Sequence, residues 1–435
     1  MKVLVRPATH LEGVVAAPPS KNYTTRYLWL SALAEGESRV VNPADNDDAR
    51  ALLAACRALG AVIQEEAGEE GKDRVLVVRG FGAKPRPVKE LDPGNGGLVL
   101  RLLLALGLLL PEVTYVNSYP DSLGKRPQDD LLSALRALGA EVADRNGRLP
   151  ITVKGGRPLA RREITVSGKV SSQYATALLF VAPLLGGLMI RISDGLSSPP
   201  PLATTLQVMA EAGVTPLADW ERLVFTVPAG WYRPGHYRVP GDYPAAAALL
   251  AAAAVLSSRV TLTNLAANDR QGEKAALTHL EKMGAELRRT DRGVEIRGGQ
   301  QLQAVDFYGA DAIDAVLAMA AAATLAEGTS RFYGVGNLRW KESDRIGDFA
   351  RELRKAGVDV KEGQDEFWII GNPGGYRGGV EIDAHQDHRL VMAFSILALC
   401  TKEGLVINGA EHVKKSYPAF FTDLTSLGAV VEELD

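Results

Sequence analysis

The chain has 435 residues, of which 46% are hydrophobic, with 49 basic against 52 acidic side chains and a net charge of −3. That length predicts two domains rather than one core, and the near-neutral balance argues against a nucleic-acid or membrane-surface binder. The two cysteines, Cys56 and Cys400, sit in apolar patterns, which argues against a disulfide framework and for a reducing, cytoplasmic setting. No Cys/His cluster suggests a metal. The start, MKVLVRPATHLEG, lacks the apolar stretch of a signal peptide. The longest apolar runs, 98–110 and 245–256, are too short for a membrane span, which needs about 20 residues.

In chain order, apolar and amphipathic helices alternate. An apolar helix is predicted from Asn22 (NYTTRYLWLSALAEG), followed by the phrase ACRALGAVI with its glycine at Gly60. The acidic run 64–73 reads as a solvated loop. GLVLRLLLALGLLL from Gly97 precedes ALRALGAEV at Gly139, and SSQYATALLFVAPLL from Ser171 precedes MAEAGVTPL at Gly213. YPAAAALLAAAAVL from Tyr243 precedes LEKMGAELR at Gly284. DAIDAVLAMAAAATLAEG from Asp311 precedes LRKAGVDVK at Gly357, and HRLVMAFSILALC from His388 precedes LTSLGAVVE at Gly428. The six glycines recur every 71 to 79 residues. Each closes an amphipathic helix by supplying a positive φ. The helix ahead of it is apolar all round and is therefore buried.

A strand-like run precedes each apolar helix, so the repeat reads strand, buried helix, strand, exposed helix, strands. Six such repeats divide into two groups of three, with helices inside and sheets outside. The Gly/Pro-rich stretch 227–244 marks one crossing between domains. A second crossing near 18–21 would let the first strand join the C-terminal half. The expected domains are 20–240, and 1–19 with 241–435.

The starts of the buried helices carry unusual residues. Helix N-termini offer free N–H groups and favour anions. The starts hold Ser20, Lys21, Asn22 and Arg26; Gly94, Asn95, Gly96, Gly97 and Arg101; Ser171, Ser172 and Gln173; Asp242; Asp311 and Asp314; and Asp387, His388 and Arg389. Asp242 and Asp311 are read as ordinary caps. Two serines plus Gln173 exceed what a cap needs. Arg26 and Arg101 interrupt apolar helices and must be paired when buried; a substrate anion is expected for Arg26 and a structural partner for Arg101. Further cations stand in GKRP (Lys125, Arg126), NLRWKESDR (Asn337, Arg339, Lys341, Glu342, Arg345) and VKKSYP (Lys414, Lys415). Arginine forks suit carboxylate and phosphate. If the helix starts converge, these groups form a site for highly negative ligands, and its cations repel one another when it is empty. No GxSxG, HExxH, Walker lysine loop or complete GxGxxG is present.

In this order, the motifs PPSKNYTTR, GNGGLVLR, KRP, SSQYATALL, NLRWKESDR, DHRLVMAFS and KKSYP resemble the 5-enolpyruvylshikimate-3-phosphate synthase family over essentially the whole chain. The resemblance implies a two-domain inside-out α/β barrel of six βαβαββ repeats. It also implies transfer of the enolpyruvyl group of phosphoenolpyruvate to the 5-hydroxyl of shikimate 3-phosphate, with release of phosphate and no metal or organic cofactor. A monomer acting on these small molecules, with neither nucleic acid nor membrane as partner, is expected.

Carried over motif by motif, Lys21, Arg126, Arg345, Arg389 and Lys415 would hold phosphoenolpyruvate, with backbone near Asn95 and Gly97. Ser171, Ser172 and Ser198 would hold the shikimate phosphate, Arg26 and Asn22 the carboxylate side, and Gln173 would lie along the ring and reach phosphoenolpyruvate. Asp314 and Lys341 would face the reacting hydroxyl with Asn337 nearby, Glu342 would exchange a proton with the methylene carbon, and Lys21 would contact both substrates. Three positions depart from the family pattern: Asn22 where serine is usual, Leu98 where threonine is usual, and Pro201 where an aromatic or basic residue is common. The bulk of Leu98 could narrow the phosphoenolpyruvate side, where the family's inhibitor glyphosate also binds. Lys21-Asn22 is also similar to the sister family acting on UDP-N-acetylglucosamine, but the loop 120–127 lacks that family's reactive cysteine. A catalytically inactive anion binder is the remaining alternative, and it would need neither Asp314 nor Glu342.

Overall fold

In the computed structural model the described residues are 1–68, 73–266, 269–290 and 293–434. The apolar helices are α1 (Lys21–Leu33), α3 (Gly97–Leu106), α5 (Gln173–Val181), α7 (Tyr243–Ala254), α9 (Val316–Ala323) and α11 (His388–Leu399). The amphipathic ones are α2 (Asp47–Ala58), α4 (Asp129–Ala137), α6 (Pro199–Glu211), α8 (Ala275–Met283), α10 (Gly347–Lys355) and α12 (Phe420–Ser426). Every residue of α3, α7, α9 and α11 is buried. The glycines after α2, α4, α6, α8, α10 and α12 all have positive φ, from +85° at Gly213 to +109° at Gly428.

The chain divides into two compact units, Met1–Pro18 with Pro240–Asp435, and Pro19–Val239. Each contains three four-stranded sheets and its own hydrophobic core. Each sheet is mixed. Each has one parallel pair, and in four of the six that pair is joined through an apolar helix, as in Glu163–Gly168 beside Leu188–Leu196. The remaining strands are antiparallel, as in Leu188–Leu196 beside Val224–Val227.

Three sheets use strands distant in sequence. Lys2–Val5 lies between Leu405–Asn408 and Val431–Leu434 and completes the last repeat. Glu12–Ala16 pairs in parallel with Arg259–Thr263 and opens the fourth. Two N-terminal strands, rather than one, therefore join the C-terminal half. In the other unit, His236–Arg238 opens the first repeat beside Glu37–Val41.

The two cores pack differently. In the unit containing both termini, α7, α9 and α11 touch one another. The sequences YPAAAALLAAAA and VLAMAAAA in α7 and α9 let their axes approach closely. In the other unit the bulk of Tyr23, Trp29 and Leu30 fills the space around α1, and α3 packs on α5.

Two sequence expectations fail here. Part of the acidic run read as a loop is the strand Val62–Ala67, antiparallel to Arg74–Arg79; residues 69–72 lie outside the described residues. Ion pairs Arg74–Glu65 (2.8 Å) and Arg39–Glu66 (2.6 Å) make its charges compatible with a sheet edge. Asp311 is not a helix cap. It is exposed in a turn built by the bonds Ala312 N–H to Gly309 O and Ala315 N–H to Ala312 O, and α9 starts only at Val316. Asp242, by contrast, caps α7 by accepting from the Ala245 N–H at 2.8 Å.

The repeat glycines can be tested directly. A Cβ at Gly284 would meet only the Gln301 carbonyl at an ordinary 3.6 Å, so space is not limiting, yet φ is +108°. Gly284→Ala should cost ~1 kcal/mol through left-handed backbone strain alone, read as a lowered urea midpoint with the fold retained.

Candidate active site

In the unit Pro19–Val239, the polar groups gather where the parallel strands end and the apolar helices begin. Lys21, the first residue of α1, pairs with Asp48 at 3.3 Å, and both are largely buried. Asp48 in turn stands beside the start of α3, where a Cβ at Gly96 would lie 3.3 Å from its Oδ1. Asn95 and Arg126 are buried in the same unit. A Cβ at Gly97 would stand 2.7 Å from Arg126 Nη1, 3.3 Å from Arg101 Nη1 and 3.6 Å from Gln173 Oε1. A side chain at position 97 would therefore displace the Arg126 guanidinium from the start of α3. These charges at the N-terminus of α3 add to the helix's own positive end and make an anion-attracting surface.

Arg101 donates to Gln128 Oε1 at 3.1 Å and to Gln173 Oε1, and lies over the Tyr174 ring at 5.0 Å. It therefore orients Gln173. Ser171 Oγ accepts from the Gln173 N–H at 3.3 Å. Ser172 is buried at the start of α5, and Ser198 is buried at the start of α6. These serines follow neighbouring parallel strands, and the Ser197 N–H donates to Gly168 O at 3.1 Å.

Arg26 is 1% exposed. Its Nε donates to Thr205 Oγ1 (3.0 Å), Nη1 to Asn22 O (3.0 Å) and Nη2 to Pro201 O (2.9 Å). No described carboxylate pairs with it, and burial lowers its pKa to about 10. Two of the positions that depart from the family, Asn22 and Pro201, thus serve Arg26 through backbone carbonyls, which any side chain would leave in place. Leu98, the third, is buried in the unit's core.

The other unit holds a tighter cluster. Arg345, 2% exposed, grips Asp387 with Nε (2.7 Å) and Nη2 (3.1 Å), Glu342 with Nη2 (2.9 Å) and Asp314 with Nη1 (3.1 Å). Burial alone would lower the Arg345 pKa, but Asp387, Glu342 and Asp314 carry it well above its ordinary value. Lys415 Nζ lies 3.2 Å from the second oxygen of Glu342. Arg389 donates to Pro244 O at 2.9 Å and stands 3.9 Å from Asp314, while its buried Nε finds no acceptor among the described residues. Asp387 also caps α11 by accepting from the Arg389 N–H at 2.9 Å.

The turn that displaced the start of α9 delivers Asp314 to Arg345 and Arg389. Asn337 lies in the 3-10 helix Gly336–Trp340, and Lys341 follows it directly. The expectation that empty-site cations repel one another does not hold within this unit, since Arg345 and Lys415 face carboxylates instead.

Asp314, Glu342, Arg345, Arg389 and Lys415 are therefore joined in one unit, and Lys21, Asn95, Gly97, Arg126, Gln173 and Arg26 line helix starts in the other. Sequence reading missed Asp48, 27 positions from Lys21 with no spacing signal. It also missed Glu273, a buried acid in RQGEK. Burial, with Asp314 and Asp242 nearby, pushes the Glu273 carboxyl up to about 8.

The model of the EPSP synthase (3-phosphoshikimate 1-carboxyvinyltransferase) family matches residues 5–424. The 3-phosphoshikimate 1-carboxyvinyltransferase of Deinococcus radiodurans is 46% identical over 432 residues, covering 99% of this chain and 96% of that protein. The enzyme of the same name from Burkholderia pseudomallei is 37% identical, covering 99% and 95%. A solved EPSP synthase from Acinetobacter baumannii superposes with a TM-score of 0.80 at 25% identity, over 99% of this chain and all of that one. By sequence and by fold, the chain belongs to the EPSP synthase family.

Proposed function

We infer that the chain transfers the enolpyruvyl group of phosphoenolpyruvate to the 5-hydroxyl of shikimate 3-phosphate, releasing phosphate, in aromatic amino acid biosynthesis. The family membership and the full-length relatives support this reading. The geometric observation that carries it is the pair of acids, Asp314 and Glu342, held on different nitrogens of one buried guanidinium.

The reaction needs proton traffic at two atoms. The hydroxyl must lose a proton as it attacks, and the methylene carbon must gain one. Asp314, together with Lys341 and Asn337, is assigned to the hydroxyl, and Glu342 to the carbon. Acids fixed apart on a rigid cation can serve separate atoms without sharing one proton.

The addition intermediate carries two phosphates and carboxylates, and fixed cations stabilise it without reorganising. Arg345, Arg389, Lys415, Lys21 and Arg126 are assigned to phosphoenolpyruvate, with the backbone near Asn95 and Gly97. The open Nε of Arg389 supports an anion there. Ser171, Ser172 and Ser198 are assigned to the shikimate phosphate, Gln173 to the ring, and Arg26 with Asn22 to the carboxylate side. The missing countercharge at Arg26 supports that assignment. In this reading the carboxylates hold the cations in place until substrate anions replace them.

Phosphate release is the direct test. Incubation with phosphoenolpyruvate and shikimate 3-phosphate should release phosphate in step with enolpyruvyl transfer; no release at millimolar concentrations of both would overturn the assignment. Asp314→Asn keeps an oxygen for Arg345 but removes the base. It should lower kcat about 100-fold or more while leaving both KM values within a few-fold, and a loss confined to KM would remove Asp314 from the proton-transfer role.

Stability against pH gives a further check. Between its ordinary value of 4.5 and about 8, the folded protein keeps a proton on Glu273 that the unfolded chain has lost. Glu273 therefore favours folding at low pH, and that contribution is lost as pH rises through about 8. The Tm of Glu273→Gln minus that of the parent should rise from pH 5 to pH 8; a constant difference would show that the acid ionises normally.

A further inference from the structure

Helix α10 lies between the segment carrying Lys341, Glu342 and Arg345 and the turn leading to Asp387, and the roles above make no use of it. A polar path runs along it. Asp344 accepts from the N–H groups of Ile346 (3.1 Å) and Gly347 (3.0 Å), and its other oxygen takes Arg339 Nη1 at 2.7 Å. The Asp344 N–H donates to Asp348 Oδ2 at 3.0 Å, and Asp348 Oδ1 accepts from Arg351 Nη2 at 2.6 Å. One turn further stands Glu352, 1% exposed. Its Oε2 accepts from Lys355 Nζ (2.6 Å) and from the Asp383 N–H (3.1 Å). Its Oε1 lies 3.1 Å from His385 Nε2 and 3.5 Å from Arg351 Nε. Burial would raise the Glu352 carboxyl, but Lys355, the Asp383 N–H and His385 hold it below its ordinary value.

The turn held by Glu352 is unusual. His385 and Gln386 are consecutive non-glycine residues with φ of +48° and +57°. Left-handed backbone costs roughly 1–2 kcal/mol per residue outside glycine, so two in succession persist only where surrounding contacts over-determine them. The flanking residues are held by the Ala384 N–H donating to Asn408 O at 3.0 Å and by Ser343 Oγ donating to Asp387 Oδ2 at 3.1 Å. The His385 N–H donates to Asp383 Oδ1 at 2.7 Å, and the Asp387 N–H to Ala384 O at 2.8 Å. The His385 ring nitrogen Nε2 either donates to Glu352 or accepts from Arg351 Nη2 at 3.0 Å. The next residue is Asp387, fully buried, which grips Arg345 with both oxygens and caps the helix that begins His388-Arg389.

We propose that Glu352 and His385 are positioning residues: by pinning the left-handed turn to α10 they fix Asp387, and through it the guanidinium groups of Arg345 and Arg389, for the phosphoenolpyruvate anion. The proposal rests on the assignment of those arginines to phosphoenolpyruvate. A purely structural latch would instead lower stability and disturb both substrates alike.

Two variants of the full chain test it. His385→Asn tolerates a left-handed backbone but is too short to reach Glu352. Glu352→Gln keeps an acceptor for the Asp383 N–H but loses the charge that faces Lys355 and Arg351. In both, calorimetric titration should show phosphoenolpyruvate binding weakened about 10-fold, with KM for phosphoenolpyruvate raised by the same factor. The KM for shikimate 3-phosphate and kcat at saturation should stay within about two-fold. Unchanged phosphoenolpyruvate affinity would overturn the proposal, as would equal rises in both KM values that follow a fall in Tm. If Glu352→Gln does not fold, His385→Asn, at a half-buried position, decides alone. Turnover by the parent is read in the same assay: its absence counts against the proposed reaction, while the titration reports separately on the latch.

Discussion

A guanidinium taken out of water must find its countercharges in the protein. Burial of an ion costs several kcal/mol, and only well-directed partners offset it. Arg345 meets that demand with three carboxylates, two of its contacts going to Asp387. Removing any one of them leaves charge uncompensated in the interior, so the loops bearing Asp314, Glu342 and Asp387 are held to a single geometry. Lys415 joins through Glu342, and Arg389 reaches back to Pro244 at the start of α7. Arg345 thus links the fifth and sixth repeats, and Arg389 extends the link to the fourth.

The repeat explains where that chemistry can occur. Each repeat runs from a strand through a short loop into an apolar helix, so six loops with free N–H groups arise from one pattern. At Asp242 the loop supplies a cap to α7. Loops that depart from the pattern gather the groups we assign to chemistry. Gly96 and Gly97 admit side chains against the backbone, paired serines open α5, and a turn ahead of α9 directs Asp314 toward an arginine. Because the framework is carried by buried helices and closing glycines, these loops can differ without disturbing it.

Much of this was legible in the residues. The alternation of all-apolar and one-sided helices, each of the latter ended by glycine, was visible because helix burial and left-handed closure leave local signatures. The cations in KRP, WKESDR and DHR were legible as a group because density of charge in loops is itself a signal. Pairing between distant segments was not. Lys21 with Asp48, Glu273 near Asp314 and Glu352 with His385 depend on which turns meet in space, and no spacing records that. Asp311 was misread because it precedes a helical pattern, whereas carbonyl-directed turn bonds delay the helix to Val316. The acidic run was misread because its consecutive Glu65 and Glu66 lie on an edge strand, where arginines of other strands, Arg74 and Arg39, compensate them.

The arrangement of the N-terminal strands bears on synthesis. The unit Pro19–Val239 is continuous in the chain, and its last sheet closes when His236–Arg238 meets Glu37–Val41. It can therefore mature while the ribosome is still translating the rest. Lys2–Val5 emerges ahead of that unit yet has no sheet partner until Leu405–Asn408 and Val431–Leu434 are made. A segment made ahead of the whole Pro19–Val239 unit is thus among the last to find its place, and it must stay unpaired, and protected from stray association, until residues about 400 positions further on are made.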